Sequence, residues 1–218
     1  MTRIVAVVSH RARVLEVGLD DETVRRSVVS VVTDRDCDGA RMAATRRIPV
    51  VRIDEADNER FSDRLADHAT EVEADYLVLF FSRLLRGRII DQYRQRIVNL
   101  HPSLLPAFPG MRGVRDTVDS GARFLGTTYH FIDAAVDQGH IILQSVVPVD
   151  PTGDEGPLRR RQFEQMCRGF VQVCAWLAAD RVTVAGHRTL VRDAGYDDSL
   201  FSPTLDSPAA RQLVVPTS

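Results

Sequence analysis

An asparagine and a histidine two residues apart, Asn99 and His101, close a run of β-branched residues, and Pro102, Pro106 and Pro109 follow. In a strand, residues i and i+2 project to one side, so the pair is expected to share a crevice while Leu100 turns behind it. The prolines forbid continuation of a strand ladder and stiffen the next loop, which would hold the pair in place. An amide donor beside an imidazole suits an oxyanion on a tetrahedral carbon, the charge that develops in acyl transfer to an amine. That reaction also needs a group to take a proton from the incoming nitrogen, and Asp137, in a loop between two expected strands, offers a carboxylate. The same carboxylate can tune an imidazole or hold its tautomer. Taken singly, each residue has a plainer use: asparagine as a cap, aspartate before Gln138-Gly139 as a turn former, histidine as part of a core.

The elements that must position these residues are readable from apolar periodicity. Runs at 4–8, 28–32, 49–53, 76–80 and 97–100 read as buried strands, and helical spacing occupies 37–47, 58–74 and 84–93. Continuous apolar strands alternating with helices predict an α/β domain with a central, mostly parallel twisted sheet covered by helices on both faces. The second half differs: 125–132 and 141–149 are extended runs that predict antiparallel strands, and a long helix is expected over 157–180. Asp, Ser and Pro cluster from about 193, so 1–192 is expected to form the domain and 193–218 a tail that packs loosely or covers an edge. Ligands of open α/β sheets bind beyond the carboxyl ends of the strands, which points to 9–13, 33–38, 81–83 and 99–110.

Composition narrows the chemistry. With 218 residues, 44% of them apolar, the chain can bury a single sizeable core, and a net charge of -2 gives no bias toward nucleic acid or membranes. All 28 basic residues are arginine. The absence of lysine excludes a Schiff-base enzyme, a Walker-type phosphate loop and a lysine general base. Cys37, Cys167 and Cys174 form no C-x-x-C pair and are expected as reduced, buried thiols. The six histidines fall in no metal-ligand spacing, so no metal is expected. Neither a signal h-region nor a bilayer-spanning run is visible, and a cytoplasmic location is expected. If exposed, Leu213-Val214-Val215 would suit the surface of a partner, as in a homodimer.

Three blocks, taken together, carry more than their residues do singly. The segment from Asn99 to Gly110, then Gly126-Thr127-Thr128-Tyr129-His130-Phe131, then Asp137-Gln138-Gly139-His140-Ile141-Ile142-Leu143-Gln144, resembles the glycinamide ribonucleotide formyltransferase family and its relatives. The likeness extends over most of 1–185 and is strongest from 76 to 144. It implies a Rossmann-like formyltransferase fold with 10-formyltetrahydrofolate as co-substrate and formyl donor. It further implies Asn99, His101 and Asp137 as the catalytic trio, Asp137 relaying a proton through a water. The pterin of the donor is expected against Arg83, Leu84, Leu85, Ile97, His130, Ile132 and Val136, because Phe81-Ser82-Arg83-Leu84-Leu85 stands where the family places an arginine and two aliphatics.

The acceptor side departs from the family pattern. A Gly-Asn-Gly-Ser-Asn-like phosphate loop is replaced by Ser9-His10-Arg11-Ala12-Arg13, and the acidic residue of the last helix falls near Met166, with Glu164 two residues away. This implies an acceptor other than glycinamide ribonucleotide: an amino-sugar nucleotide or amino-acid-like amine, held by His10, Arg11, Arg13, Pro109, Gly110 and Met111. The alternatives are phosphoribosylglycinamide formyltransferase of purine biosynthesis, a formyltetrahydrofolate hydrolase, or a folate-binding module without catalysis. The hydrolase is disfavoured because its family usually adds an N-terminal regulatory domain, whereas Met1 leads into the first expected strand.

Overall fold

The computed structural model describes residues 1–110, 112–133 and 138–216. Two compact units divide the chain, the first formed by 1–99 with 131–133 and the second by 100–130 with the residues from 138 onward, so that one boundary falls inside a strand, between Asn99 and Leu100. The first unit contains β1 (Ile4–Val8), α1 (Arg13–Gly18), α2 (Glu22–Ser27), β2 (Val28–Thr33), α3 (Asp38–Thr45), β3 (Val50–Arg52), α4 (Asn58–Glu71), β4 (Tyr76–Phe80), α5 (Arg88–Gln92) and the start of β5 (Ile97–His101). The strands lie in the order β3-β2-β1-β4-β5, and every pairing is parallel. Val5, Val7, Leu77, Leu79 and Ile97 face Phe61, Leu65 and Ala69 of α4 and Ile89 of α5 in one core. Ala6 and Val8, on the other face by alternation, are equally buried, and α2 and α3 pack against β2. This is the doubly covered parallel arrangement that the apolar runs predict.

Segment 84–93, expected as a helix, is helical only over Arg88–Gln92, because Gly87 at φ 70 lies outside the helical region. The six-residue helices α1 and α2 escape periodicity analysis, being under two turns long. A side-chain cap nonetheless marks α2: Asp21 accepts from the Val24 amide at 3.0 Å.

The second unit continues with the end of β5, α6 (Gly113–Asp119), β6 (Phe124–Phe131), β7 (Ile141–Pro148), α7 (Glu155–Ala178), β8 (Val182–Ala185), β9 (Arg188–Val191), β10 (Phe201–Ser202) and α8 (Pro208–Gln212). β6 and β7 pair antiparallel, β10 adds antiparallel to β7, and β8 and β9 form a separate hairpin. α7 lies so close to the β6–β7 ribbon that a Cβ at Gly169 would stand 2.8 Å from the Tyr129 ring. Burial pushes the Tyr129 phenol well above its usual range, and its retained proton donates to the Met166 carbonyl at 2.5 Å. Cys37, Cys167 and Cys174 are buried thiols, outside any disulfide. Among the described residues, no helix is long and apolar enough to cross a membrane.

Residues after 193 cover the edge of β7 with Phe201 and Ser202, and Asp206 latches them to α7. Asp206 accepts from Gln172 Nε2 at 2.8 Å, Trp176 Nε1 at 3.0 Å and Arg181 Nη2 at 2.7 Å, while Gln172 Oε1 accepts from the amides of Asp206 and Ser207. Trp176 and Gln172 are fully buried, so their donors have no water to fall back on. Asp206→Ala is therefore expected to cost about 2–3 kcal/mol in urea denaturation. Asp206→Asn, which keeps one acceptor oxygen, should cost about 1 kcal/mol.

Candidate active site

β5 brings Asn99 and His101 to the end of a parallel strand, two residues apart, so alternation directs both side chains to one side of the strand. His101 is 5% exposed. Its Nε2 lies 3.1 Å from the Phe108 carbonyl, and its ring meets that of His130 edge-on, with centroids 6.5 Å apart. The loop that follows is pinned from several directions within the second unit. Thr128 Oγ1 donates to the Ser103 carbonyl at 2.8 Å and accepts from the Leu105 amide at 3.1 Å. Gln144 Nε2 donates to the Leu105 carbonyl at 2.7 Å, and Gln162 Nε2 of α7 donates to the carbonyls of Pro102 and Gly126 at 3.1 and 2.8 Å. The stiffness expected of the prolines is thus reinforced by side chains from β6, β7 and α7.

In the first unit, the segment after β4 is anchored by Arg83. Its guanidinium donates to Asn58 Oδ1 and to the carbonyls of Glu55 and Ala56, all within 2.9 Å, and stacks over Phe61. It also approaches Asp34, whose carboxylate receives a two-pronged contact from Arg35. Burial alone would push the Asp34 carboxyl up, but the Arg35 hydrogen bond and charge, aided by Arg83, outweigh it and hold the group below the usual carboxylate range. Leu84 stands 47% exposed beside this anchor, Leu85 is half-buried, and Ile97 is fully buried in the core. Ile132 donates its amide to the Ile97 carbonyl at 2.8 Å.

After β1, Ser9 is buried and its hydroxyl accepts from the Ser82 amide at 3.3 Å, tying the loop to the segment after β4. Ala12 turns the chain through the left-handed region at φ 49, without a glycine. The His10 carbonyl accepts from the Gly39 amide at 2.9 Å, and a Cβ on Gly39 would come within 2.7 Å of it. His10 and Arg11 are exposed, Arg13 is half-buried, and Arg11 lies 3.7 Å from Asp38. Pro109 and Gly110 are exposed. Asp137, Val136 and Met111 lie outside the described residues.

A model of the family described as formyl transferase matches residues 2–174. The chain belongs to the formyl transferase family. It is 36% identical over 186 residues to the phosphoribosylglycinamide formyltransferase of Mycobacterium tuberculosis (strain CDC 1551 / Oshkosh), a span covering 79% of this chain and 81% of that protein. The crystal structure of glycinamide ribonucleotide transformylase 1 from Symbiobacterium toebii superposes with a TM-score of 0.83 at 32% identity, over 88% of this chain and 95% of the other. A formyltetrahydrofolate deformylase of Haemophilus influenzae is 39% identical over 128 residues, 58% of this chain and 46% of that protein.

Within this formyl transferase the residues that fix the His101 loop, namely Ser103, Gly113, Gly126, Thr128, Gln144 and Gln162, have no individual role in the sequence reading. Ser103, Gly126, Thr128 and Gln144 do fall inside the blocks that carry the family likeness, which is the one signal that could have drawn attention to them.

Proposed function

We propose that this formyl transferase moves the formyl group of 10-formyltetrahydrofolate to the amine of glycinamide ribonucleotide. The observation that carries the acceptor is the 36% identity, over four-fifths of both chains, to a protein named for formylating phosphoribosylglycinamide. In this reading the amine nitrogen attacks the formyl carbon. The Asn99 carboxamide and the His101 ring donate to the oxygen as it becomes an oxyanion. Asp137 accepts the proton that the amine sheds and returns it, through a water, to the folate nitrogen as the carbon–nitrogen bond of the donor breaks. Leu84, exposed beside an anchored turn, suits the flat face of a pterin, with Leu85 and Ile132 as further apolar contacts and Ile97 as their backing. Arg83 serves the donor site by holding that turn, since its guanidinium is committed to residues 55–58. His130 orients the His101 ring edge-on.

A second reading keeps the donor chemistry and changes the amine. The exposed His10 and Arg11, with Arg13, replace a glycine-built loop by side-chain cations, an arrangement that suits the phosphates of an amino-sugar nucleotide or the carboxylate of an amino-acid-like amine. Pro109, Gly110 and Met111 would flank the acceptor in either reading. Initial rates with each amine at fixed donor distinguish the two. The kcat/KM for glycinamide ribonucleotide is expected to exceed that of the others by about a hundredfold or more, and a faster amino-sugar nucleotide would replace the first reading by the second.

A further inference from the structure

Asp34 is a carboxylate with no part in the proposed reaction, and its side chain is only 3% exposed. It stands just past the end of β2, where Thr33 fixes the chain: the Thr33 hydroxyl donates to the Arg35 carbonyl at 2.8 Å and accepts from the Arg35 amide at 3.3 Å. Two guanidinium groups face the carboxylate. Arg35, the more exposed of them, donates from Nε and Nη2 at 3.0 and 2.7 Å. Arg83 approaches from the turn after β4, with Nη1 3.7 Å from Oδ2 and its own side chain 17% exposed.

Arginine cannot shed its charge, so a guanidinium taken largely out of water needs a counter-charge as well as acceptors. The hydrogen bonds of Arg83 go to neutral groups, Asn58 Oδ1 and the carbonyls of Glu55 and Ala56. The Phe61 ring, its centroid 4.8 Å from the guanidinium carbon, is neutral too. Asp57 is exposed, and its carboxylate serves the amides of Glu59 and Arg60, so its pull on Arg83 is weak. The shielded charge beside Arg83 is therefore that of Asp34. On either side of Arg83 the turn is tied by single bonds: the Ser82 amide donates to the Ser9 hydroxyl at 3.3 Å, and the Arg86 amide to Ser62 Oγ at 3.0 Å. Between these ties, the course of residues 83–85 depends on where the Arg83 side chain is held.

We propose that Asp34 is a positioning residue for the formyl donor: as the counter-charge of Arg83, it keeps the turn that carries Leu84 and Leu85 in its binding shape. The inference rests on the reading of Leu84 and Leu85 as contacts of the pterin. Asp34 touches neither substrate and acts through Arg83. Without its charge, the guanidinium has neutral partners only and gains by swinging into water, away from Glu55 and Ala56. The turn then spends part of its time in other shapes, and donor affinity falls by the fraction of molecules that have lost the binding shape. Chemistry on bound donor is unchanged, so turnover at saturation is kept.

Donor affinity, turnover and the turn itself can be read separately in the full chain. Asp34→Asn should raise the Kd for 10-formyltetrahydrofolate about tenfold by isothermal titration, while kcat at saturating donor and KM for the amine stay within about twofold. Without donor, hydrogen exchange of the Arg86 amide should quicken about tenfold in the same variant. On an Arg83→Gln background, where no charge needs balancing, Asp34→Asn should change the donor Kd by less than about twofold. Asp34→Glu, which keeps the charge but moves it, should lie between wild type and Asp34→Asn and carries the comparison if the asparagine variant does not fold. A folded Asp34→Asn protein with wild-type donor affinity, one whose loss is confined to kcat, or one whose loss is as large on Arg83→Gln, would overturn the proposal. A wild type that binds no donor, with Arg86 exchange still quickened by Asp34→Asn, would instead remove the donor reading and leave the hold on the turn standing.

Discussion

His101→Ala is expected to lower kcat/KM for formyl transfer by about a thousandfold while leaving the affinity for 10-formyltetrahydrofolate within a few-fold of the wild type. In the proposed mechanism the ring acts on charge that exists only while the tetrahedral carbon is formed, so its loss should fall on kcat. In the proposed function donor binding rests on the turn held by Arg83. The fold should survive, because the Phe108 carbonyl keeps the Ser103 hydroxyl at 2.8 Å after the imidazole is gone. Asn99→Ala removes one oxyanion donor and should cost about a hundredfold. Isothermal titration of the donor beside steady-state kinetics of both variants checks the division. Turnover by His101→Ala close to that of the wild type would remove His101 from the chemistry.

The second large effect is on stability. A methyl group on Gly126 would stand 2.4 Å from Leu104 Cβ and 2.6 and 2.7 Å from Leu104 N and Cα, distances no folded protein tolerates, so the loop or the strand must move. Neither can move easily. Pro102 and Pro106 stiffen the loop, Thr128 and Gln144 grip it at residues 103 and 105, and Gln162 bridges Pro102 to Gly126 itself. Gly126→Ala should therefore destabilise the protein by about 3 kcal/mol or more. For a chain of this size that lowers the Tm by roughly 6–12 °C. His101 begins the displaced loop, so the surviving folded fraction should also lose activity. Gly156→Ala is the matched comparison: nothing lies within 4 Å of its added methyl and it sits in the first turn of α7, so its Tm should hold or rise slightly. Equal melting temperatures for the two variants would show that the close approach of Leu104 is not what fixes the loop.

The parallel strands and the long helix are legible in the sequence because each is a run of one periodicity longer than the turns beside it. The alternation that sets Asn99 and His101 on one side of β5 is legible for the same reason: it follows from a period of two and needs no knowledge of distant residues. The clamp around His101 is not legible in that way. Gln144 and Leu105 are 39 residues apart and Gln162 and Pro102 are 60 apart, and in each contact a side-chain amide meets a backbone carbonyl, so no spacing rule pairs them. Glutamines on a helix read as solvated, yet Gln162 and Gln172 of α7 are buried because α7 covers backbone that needs donors. Arg83 shows the converse: the family likeness selects the residue, while the commitment of its guanidinium to residues 55–58 is a property of the folded turn.

The most direct test follows the formyl carbon itself. With 10-formyltetrahydrofolate carrying ¹³C in the formyl group and glycinamide ribonucleotide as the amine, the label should appear on the amine nitrogen of the ribonucleotide in amounts equal to the donor consumed, and donor without amine should stay intact. Label recovered as formate, at one rate with or without the amine, would contradict the account and make water the acceptor.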